Sequence, residues 1–299
     1  MKSGFVSLVG RPNAGKSTLL NRFAGQKLAI VSDKPQTTRH RITGVYNAPA
    51  GQVVFIDTPG IHKPMHRMNQ RMVDIAIDTL REVDVAVLVV DAAVKPGAGD
   101  EFVLDLIARS KVATILALNK VDLVRKDALL PMIDQYAKAL DFAAIVPLSA
   151  VNGDGVPGLE QEIFTTLPEG EPIYDEDYLT DQTERTLAAE LVREKVLAHT
   201  RDELPYTTAV LIDAFEEPVP PSTLTRIFAS IVVDSDSQKP IVVGRGGDMI
   251  KRIGTEARKD LEEMLGGKVY LELHVKVRED WRDDERILDE IGLGRKRRG

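Results

Sequence analysis

Residues 10–18, Gly-Arg-Pro-Asn-Ala-Gly-Lys-Ser-Thr, bring two glycines, a lysine and two hydroxyls into nine positions. That set suits a chain of phosphates. Gly10 and Gly15 free the backbone so that N–H groups can converge on phosphate oxygens, and a helix starting at Lys16 adds partial positive charge. Lys16 would reach the β- and γ-phosphates, and the Ser17 hydroxyl would ligate Mg²⁺. A chain of this length meets the spacing G-x-x-x-x-G-K-[ST] by accident about one time in a hundred. Here the spacing also falls between a β-rich run, FVSLV at 5–9, and a helical one, KSTLLNRFAG at 16–25. The phosphate loop is therefore assigned to Gly10, Arg11, Pro12, Asn13, Ala14, Gly15, Lys16, Ser17 and Thr18.

Three further clusters follow strand-like runs. Asp57-Thr58-Pro59-Gly60 ends VVFID. An aspartate there can hold Mg²⁺, usually through water, and Gly60 can offer its N–H to a γ-phosphate. Asn119-Lys120-Val121-Asp122 ends TILALN. Two oxygens on Asp122 can accept N1–H and the 2-amino group of guanine, a donor pair adenine lacks. The stem of Lys120 would cover the base plane, and Asn119 would tie loops together. Ser149-Ala150, after AAIVPL, would supply a backbone N–H to the guanine oxygen.

A second glycine loop, Gly244-Arg245-Gly246-Gly247, has no Gly-Lys-Ser after it. It matches the G-x-x-G loop that clamps unpaired RNA backbone, with Lys251 and Arg252 opening a basic stretch. Ile241, Val243, Ile250 and Ile253 line either the groove or the core beneath it. The net charge of −7 argues at first against nucleic acid. Its distribution does not: residues 1–180 carry −3, 181–238 carry −6, and 239–299 carry +2.

The elements that must hold these residues follow the same order. Strand-like runs at 5–9, 41–46, 53–57, 85–91, 114–119 and 143–148 alternate with helical stretches at 16–25, 66–83, 100–110 and 128–140. Several runs are apolar on both faces, as in central strands covered by helices. A turn over Asn47–Gly51 makes one edge strand antiparallel. The expectation is an α/β domain over 1–168 with a mostly parallel sheet. A proline- and acid-rich linker follows over 169–181, and an α+β module in the order αββααβ over 182–299. The module ends in a short helix from Trp281 and a disordered basic tail, GRKRRG. Cysteine is absent, which removes disulfides and thiolate metal sites and fits a reducing cytosol. The N-terminus has no signal-peptide pattern. The longest apolar stretch, Val83–Val94, carries two aspartates and is too short to span a bilayer.

Taken together, GRPNAGKS, QTTRH, DTPG, NKVD and LSA are similar to the motif set of translation-factor-class GTPases. KPQTTRHRITG (34–44), with the αββααβ tail, resembles the Era family, and the resemblance covers nearly the whole chain. It implies a P-loop GTPase domain followed by a type II KH domain. It also implies GTP and GDP with Mg²⁺ as ligands, and K⁺ beside Asn13. QTTRH becomes switch I, with Thr38 or its neighbour Thr37 closing over Mg²⁺; DTPG opens switch II. The implied partners are the 3′ end of 16S ribosomal RNA and the small ribosomal subunit, whose assembly the family assists. The implied setting is a cytoplasmic monomer with transient peripheral contact at the inner membrane face.

Hydrolysis is the least legible step. Many GTPases place a glutamine after the DxxG glycine to orient water; Ile61 cannot. His62 fits a loop residue, Arg67 and Arg71 fit solvated helix positions, and Met65, Met68 and Met72 fit packing. Slow intrinsic hydrolysis is expected, with the water oriented by backbone, a cation or a partner. Two other classes match parts of the chain. An ATP-using P-loop enzyme is opposed by NKVD. A docking GTPase whose C-terminal domain holds no RNA is separated by RNA crosslinking.

Overall fold

The computed structural model describes every residue except 35, 62–65, 202–203 and 295–299. His62, Met65 and the basic tail beyond Gly294 lie outside the described residues. Contacts divide the chain into two compact units. The first is Met1–Val31, Gln36–Met65 and Asn69–Asp181; the second is Ser32–Pro35, His66–Met68 and Gln182–Gly299.

The first unit is a six-stranded sheet in the order β2-β3-β1-β4-β5-β6. Its strands are β1 (Lys2–Val9), β2 (Ile42–Ala48), β3 (Gly51–Asp57), β4 (Val85–Asp91), β5 (Ala113–Asn119) and β6 (Ala144–Pro147). All pairs are parallel except the β2–β3 hairpin. Helices α1 (Lys16–Ala24), α2 (Arg67–Glu82), α3 (Ala98–Ser110), α4 (Lys126–Ala139) and α5 (Val156–Thr166) complete the layers. One apolar cluster joins Val6, Leu8, Phe55, Val87 and Ile115 to Leu19, Leu20 and Leu159; another joins Val9, Leu88 and Leu116 to Ala76, Leu80, Val103 and Ile107. Burial on both faces is why the central strands read as unbroken Val/Ile/Leu runs. The parallel strands end at one edge of the sheet, the place where open α/β sheets bind ligands.

Helix α5 was not read from the sequence. It starts at Gly155 in left-handed backbone with Pro157 in its first turn. The acid-rich segment expected as a linker lies within the first unit, along β2 and β3. Val45 N–H donates to the Leu179 carbonyl, Thr180 Oγ1 to that of Thr43, and Thr43 Oγ1 to Asp181. The buried Gln52 amide accepts from Ile173 and Tyr174 N–H and donates to the Tyr174 carbonyl.

The second unit runs α6 (Glu184–His199), α7 (Leu204–Thr207), β7 (Thr208–Glu216), β8 (Leu224–Val233), α8 (Lys239–Val243), α9 (Asp248–Leu265) and β9 (Lys268–Val277). Its sheet order is β7-β8-β9, antiparallel then parallel. The expected αββααβ order is present, with α7 as one added turn. Helices α6 and α9 bury Val192, Val196, Ile253, Ala257 and Leu261 against Ile227, Ala229 and Ile231. Trp281 is fully buried and donates its indole N–H to the Thr207 carbonyl; a short 3₁₀ turn begins there, followed by α10 (Glu285–Leu288). Among the described residues no helix is long and apolar enough to cross a membrane.

Candidate nucleotide and RNA sites

The phosphate loop joins β1 to α1. Gly10 (φ 149°) and Gly15 (φ 98°) both take backbone that side-chain-bearing residues avoid. A Cβ on Gly10 would stand 2.3 Å from the Val89 carbonyl oxygen, and one on Gly15 2.1 Å from Asn119 Nδ2. Lys16 is buried, and its ammonium donates to the carbonyls of Gly10 (3.3 Å) and Arg11 (3.0 Å). Burial lowers its pKa, partly opposed by Asp57. Asn13 has φ 63° on the exposed lip of the loop. Ala14 is buried, and Pro12 packs on Gly60, where a Cβ would come within 2.7 Å of the Pro12 backbone. Thr18 is half-buried in α1. Arg11, expected with the phosphate loop, directs its guanidinium to Asp100 of α3 at 2.8 Å.

Three oxygens from distant parts of the chain converge. Ser17 Oγ lies 2.6 Å from Asp57 Oδ2 and 2.8 Å from Thr38 Oγ1, and Thr38 Oγ1 lies 3.2 Å from Asp57 Oδ2. Thr38, one of the two neighbouring threonines, thus reaches this point. Asp57 is fully buried, and its Oδ1 has no hydrogen-bond partner. Burial raises its pKa, against the pull of Lys16, Ser17, Thr38 and His40. A buried carboxylate with an unmatched oxygen beside two hydroxyls suits a hard cation. One carboxylate with hydroxyls is the sparse protein set Mg²⁺ accepts when phosphates and waters supply the rest. Among the described residues no cluster of three His, Cys, Asp or Glu offers a metal site of its own.

Thr58 anchors the next segment, its Oγ1 donating to the Leu8 carbonyl at 2.8 Å. Ile61 N–H reaches the Gly10 carbonyl at 3.1 Å, and its side chain is buried with Ala76, Leu80 and Leu88. The position that holds a water-orienting glutamine elsewhere is thus a core anchor. Met68 and Met72 pack as expected, but Arg71 is only 5% exposed. It lies three residues after the buried Met68 on the same side of α2, which overrides the solvated reading.

The base side is held by Asn119. Its Nδ2 donates to the Ala14 carbonyl at 2.8 Å, and its Oδ1 accepts the Ala150 N–H at 2.9 Å. Ser149 N–H goes to the Asp154 carbonyl. A guanine oxygen would therefore share the Ala150 N–H with Asn119. Lys120 (φ 65°) puts its ammonium on Asp91 at 2.6 Å; Asp122 is exposed in a 3₁₀ turn. From α1, Arg22 donates to the carbonyls of Ala150 (2.5 Å) and Val151, fixing the last loop from behind. Neither Arg22 nor Asp91 belongs to a motif, and only the fold brings them here.

The second glycine loop joins α8 to α9. Gly244 (φ 76°) is crowded, since a Cβ would lie 2.5 Å from that of Met249. Gly246 (φ 62°) and Gly247 (φ 85°) have nothing within 4 Å of a Cβ. Arg245, Lys251 and Arg252 are all exposed. The four isoleucine and valine positions separate: Ile253 is core, Val243 and Ile250 are half-buried, and Ile241 is 55% exposed.

Two family descriptions match the chain: "50S ribosome-binding GTPase" over residues 5–120 and "KH domain" over 203–282. The chain is 50% identical to GTPase Era of Geobacter metallireducens and 48% identical to GTPase Era of Geotalea uraniireducens. Each match covers 97% of both chains. The chain belongs to the Era GTPase family. Two solved Era structures superimpose with a TM-score of 0.94 over 99% of this chain and 100% of theirs. One, at 40% identity, is a single-residue variant of Aquifex aeolicus Era bound to GDP·AlF4⁻. The other, at 41%, is Era in complex with MgGDPNP and nucleotides 1506–1542 of 16S ribosomal RNA. The fold is accordingly a P-loop GTPase domain followed by a KH domain.

Proposed function

We propose that this chain is a GTP-hydrolysing switch that binds the 3′ end of 16S ribosomal RNA and assists small-subunit assembly. The observation that carries this is family membership along the whole chain, with both expected loops present in one molecule. On this reading residues 1–168 form the GTPase domain, 169–181 the connection and 182–299 the RNA-binding domain. Its setting is the cytoplasm as a monomer, with transient contact at the inner membrane face.

Lys16 and the loop N–H groups bind and orient the β- and γ-phosphates. Asp57, Ser17 and Thr38 would hold Mg²⁺, which neutralises charge on the phosphate oxygens when bound. Gly60 offers its N–H to the γ-phosphate. Asp122 selects guanine, Lys120 covers the base, and Ser149-Ala150 meets its oxygen. A K⁺ beside Asn13 would add positive charge at the lip of the loop. With Ile61 committed to the core, the water is oriented by backbone, cation or partner, so hydrolysis by the protein alone is slow. Gly244, Arg245, Gly246 and Gly247, with Lys251 and Arg252, grip the RNA backbone.

Switch segments 34–44 and 57–72 respond to the γ-phosphate, and RNA affinity follows nucleotide state by linkage. The test is titration of a 16S 3′-end fragment into protein loaded with a GTP analogue or with GDP. Unequal affinities are expected; equal ones would remove the switch.

A further inference from the structure

Asp91 ends β4 and stands opposite Asn119 of β5 in the register of the sheet. Its carboxylate serves two groups: Oδ1 accepts the Ala93 N–H at 2.9 Å, and Oδ2 accepts from the Lys120 ammonium at 2.6 Å. The pair is partly shielded, the side chains of Lys120 and Asp91 being 29% and 18% exposed. A lysine stem is flexible, and its ammonium is strongly hydrated when left to solvent. A stem that covers a base plane must be held at its far end, or binding bears the cost of ordering it.

We propose that Asp91 is a positioning residue for guanine recognition, fixing the Lys120 ammonium so that the lysine stem forms a preset wall of the base pocket. This rests on reading Asn119–Asp122 as the guanine site. Asp91 touches neither base nor phosphate; it acts through Lys120. The competing role is purely local, a turn held by the Ala93 N–H. Asparagine separates the two, because its carbonyl oxygen can still accept from Ala93 while the charge on Lys120's partner is gone.

Calorimetric titration with GDP and with a GTP analogue would be run on wild type, Asp91→Asn, Lys120→Ala and the double variant. Asp91→Asn should weaken both nucleotides by the same factor, about tenfold, the scale of losing one hydrogen bond to a charged group. In the Lys120→Ala background the same change should matter by less than about twofold, because the coupling is gone. Asp91→Glu, which keeps the charge, should recover most of the affinity. It also serves as the readout if the asparagine variant does not fold. No loss in Asp91→Asn, equal losses in both backgrounds, or a glutamate variant as weak as the asparagine would each overturn the proposal. Wild-type protein that binds no guanine nucleotide would instead overturn the underlying site.

Discussion

The two glycine loops share composition and differ in surroundings. In the first, the missing side chains make room for other parts of the protein. Gly10 faces the Val89 carbonyl and Gly15 faces the Asn119 amide, and Gly60 of the neighbouring DTPG segment packs against Pro12 of the loop. The result is a closed cradle with a buried lysine and a buried aspartate, the latter with one oxygen unmatched. In the second, Gly246 and Gly247 face open space, and the arginine between the outer glycines is exposed. A closed cradle suits a small ligand that must be read atom by atom. An open loop lets a polymer lie across it and continue on either side. Glycine serves packing throughout the first loop; in the second, Gly244 makes room for Met249 while Gly246 and Gly247 leave the loop open to a ligand.

The sharpest way to break this comparison is at the buried lysine. Lys16→Ala removes the buried cation of the cradle. It should weaken Mg·GTP binding by about a thousandfold, the scale of losing one partner of a buried charge pair. RNA should still bind the second loop in the same preparation, with the affinity that wild-type protein shows without nucleotide; RNA bound more weakly than by nucleotide-free wild type would show that the sites are not separate. Next in size is Asp122→Asn, which should cost GTP about a hundredfold and admit xanthosine triphosphate, whose C2 oxygen can accept the amide N–H. Competition between the two nucleotides reads this directly. At the open loop, Arg245→Ala should weaken RNA about tenfold and reduce the log–log salt slope by about 0.7, one phosphate contact on a single strand. GTP affinity should not move.

The smallest effect is a pH dependence. Burial raises the Asp57 pKa above its ordinary 3.8, so the folded chain keeps that proton to higher pH than the unfolded chain. Its favourable contribution is present below about 3.8 and is lost as pH rises through the folded value. Thermal unfolding of magnesium-free protein should show that loss, and Asp57→Asn should remove it from the profile. Identical profiles for the two proteins would mean that Asp57 is not the group responsible.

How much of this was legible in the sequence follows from distance along the chain. The loop 10–18 can be read because the phosphate chemistry needs its residues at adjacent positions. DTPG, NKVD and LSA can be read because each closes an apolar strand. The fold order follows from the same alternation. Contacts that arise only when strands pair carried no local signal. Asp91 on Lys120, Arg22 behind Ala150, and Gln52 clasping Ile173 and Tyr174 are of this kind. Arg71 misled because charge suggests solvent while its helix position faces inward. The composition of 169–181 suggests an interdomain linker, yet the Val45–Leu179 backbone bond and the Thr180 hydroxyl tie its end to β2.

The division of labour between the loops is tested most directly with Gly247→Asp. Space around Gly247 is open, and its φ of 85° lies in the left-handed region that aspartate enters more readily than most residues, so the fold should survive. The measurement is anisotropy of a labelled 16S 3′-end fragment titrated with this variant loaded with Mg²⁺ and a GTP analogue. The account predicts RNA affinity lower by about a hundredfold, with the new negative charge set against the phosphates and the nucleotide still bound at full occupancy. RNA bound as tightly as by wild type, or nucleotide lost along with RNA, would contradict it.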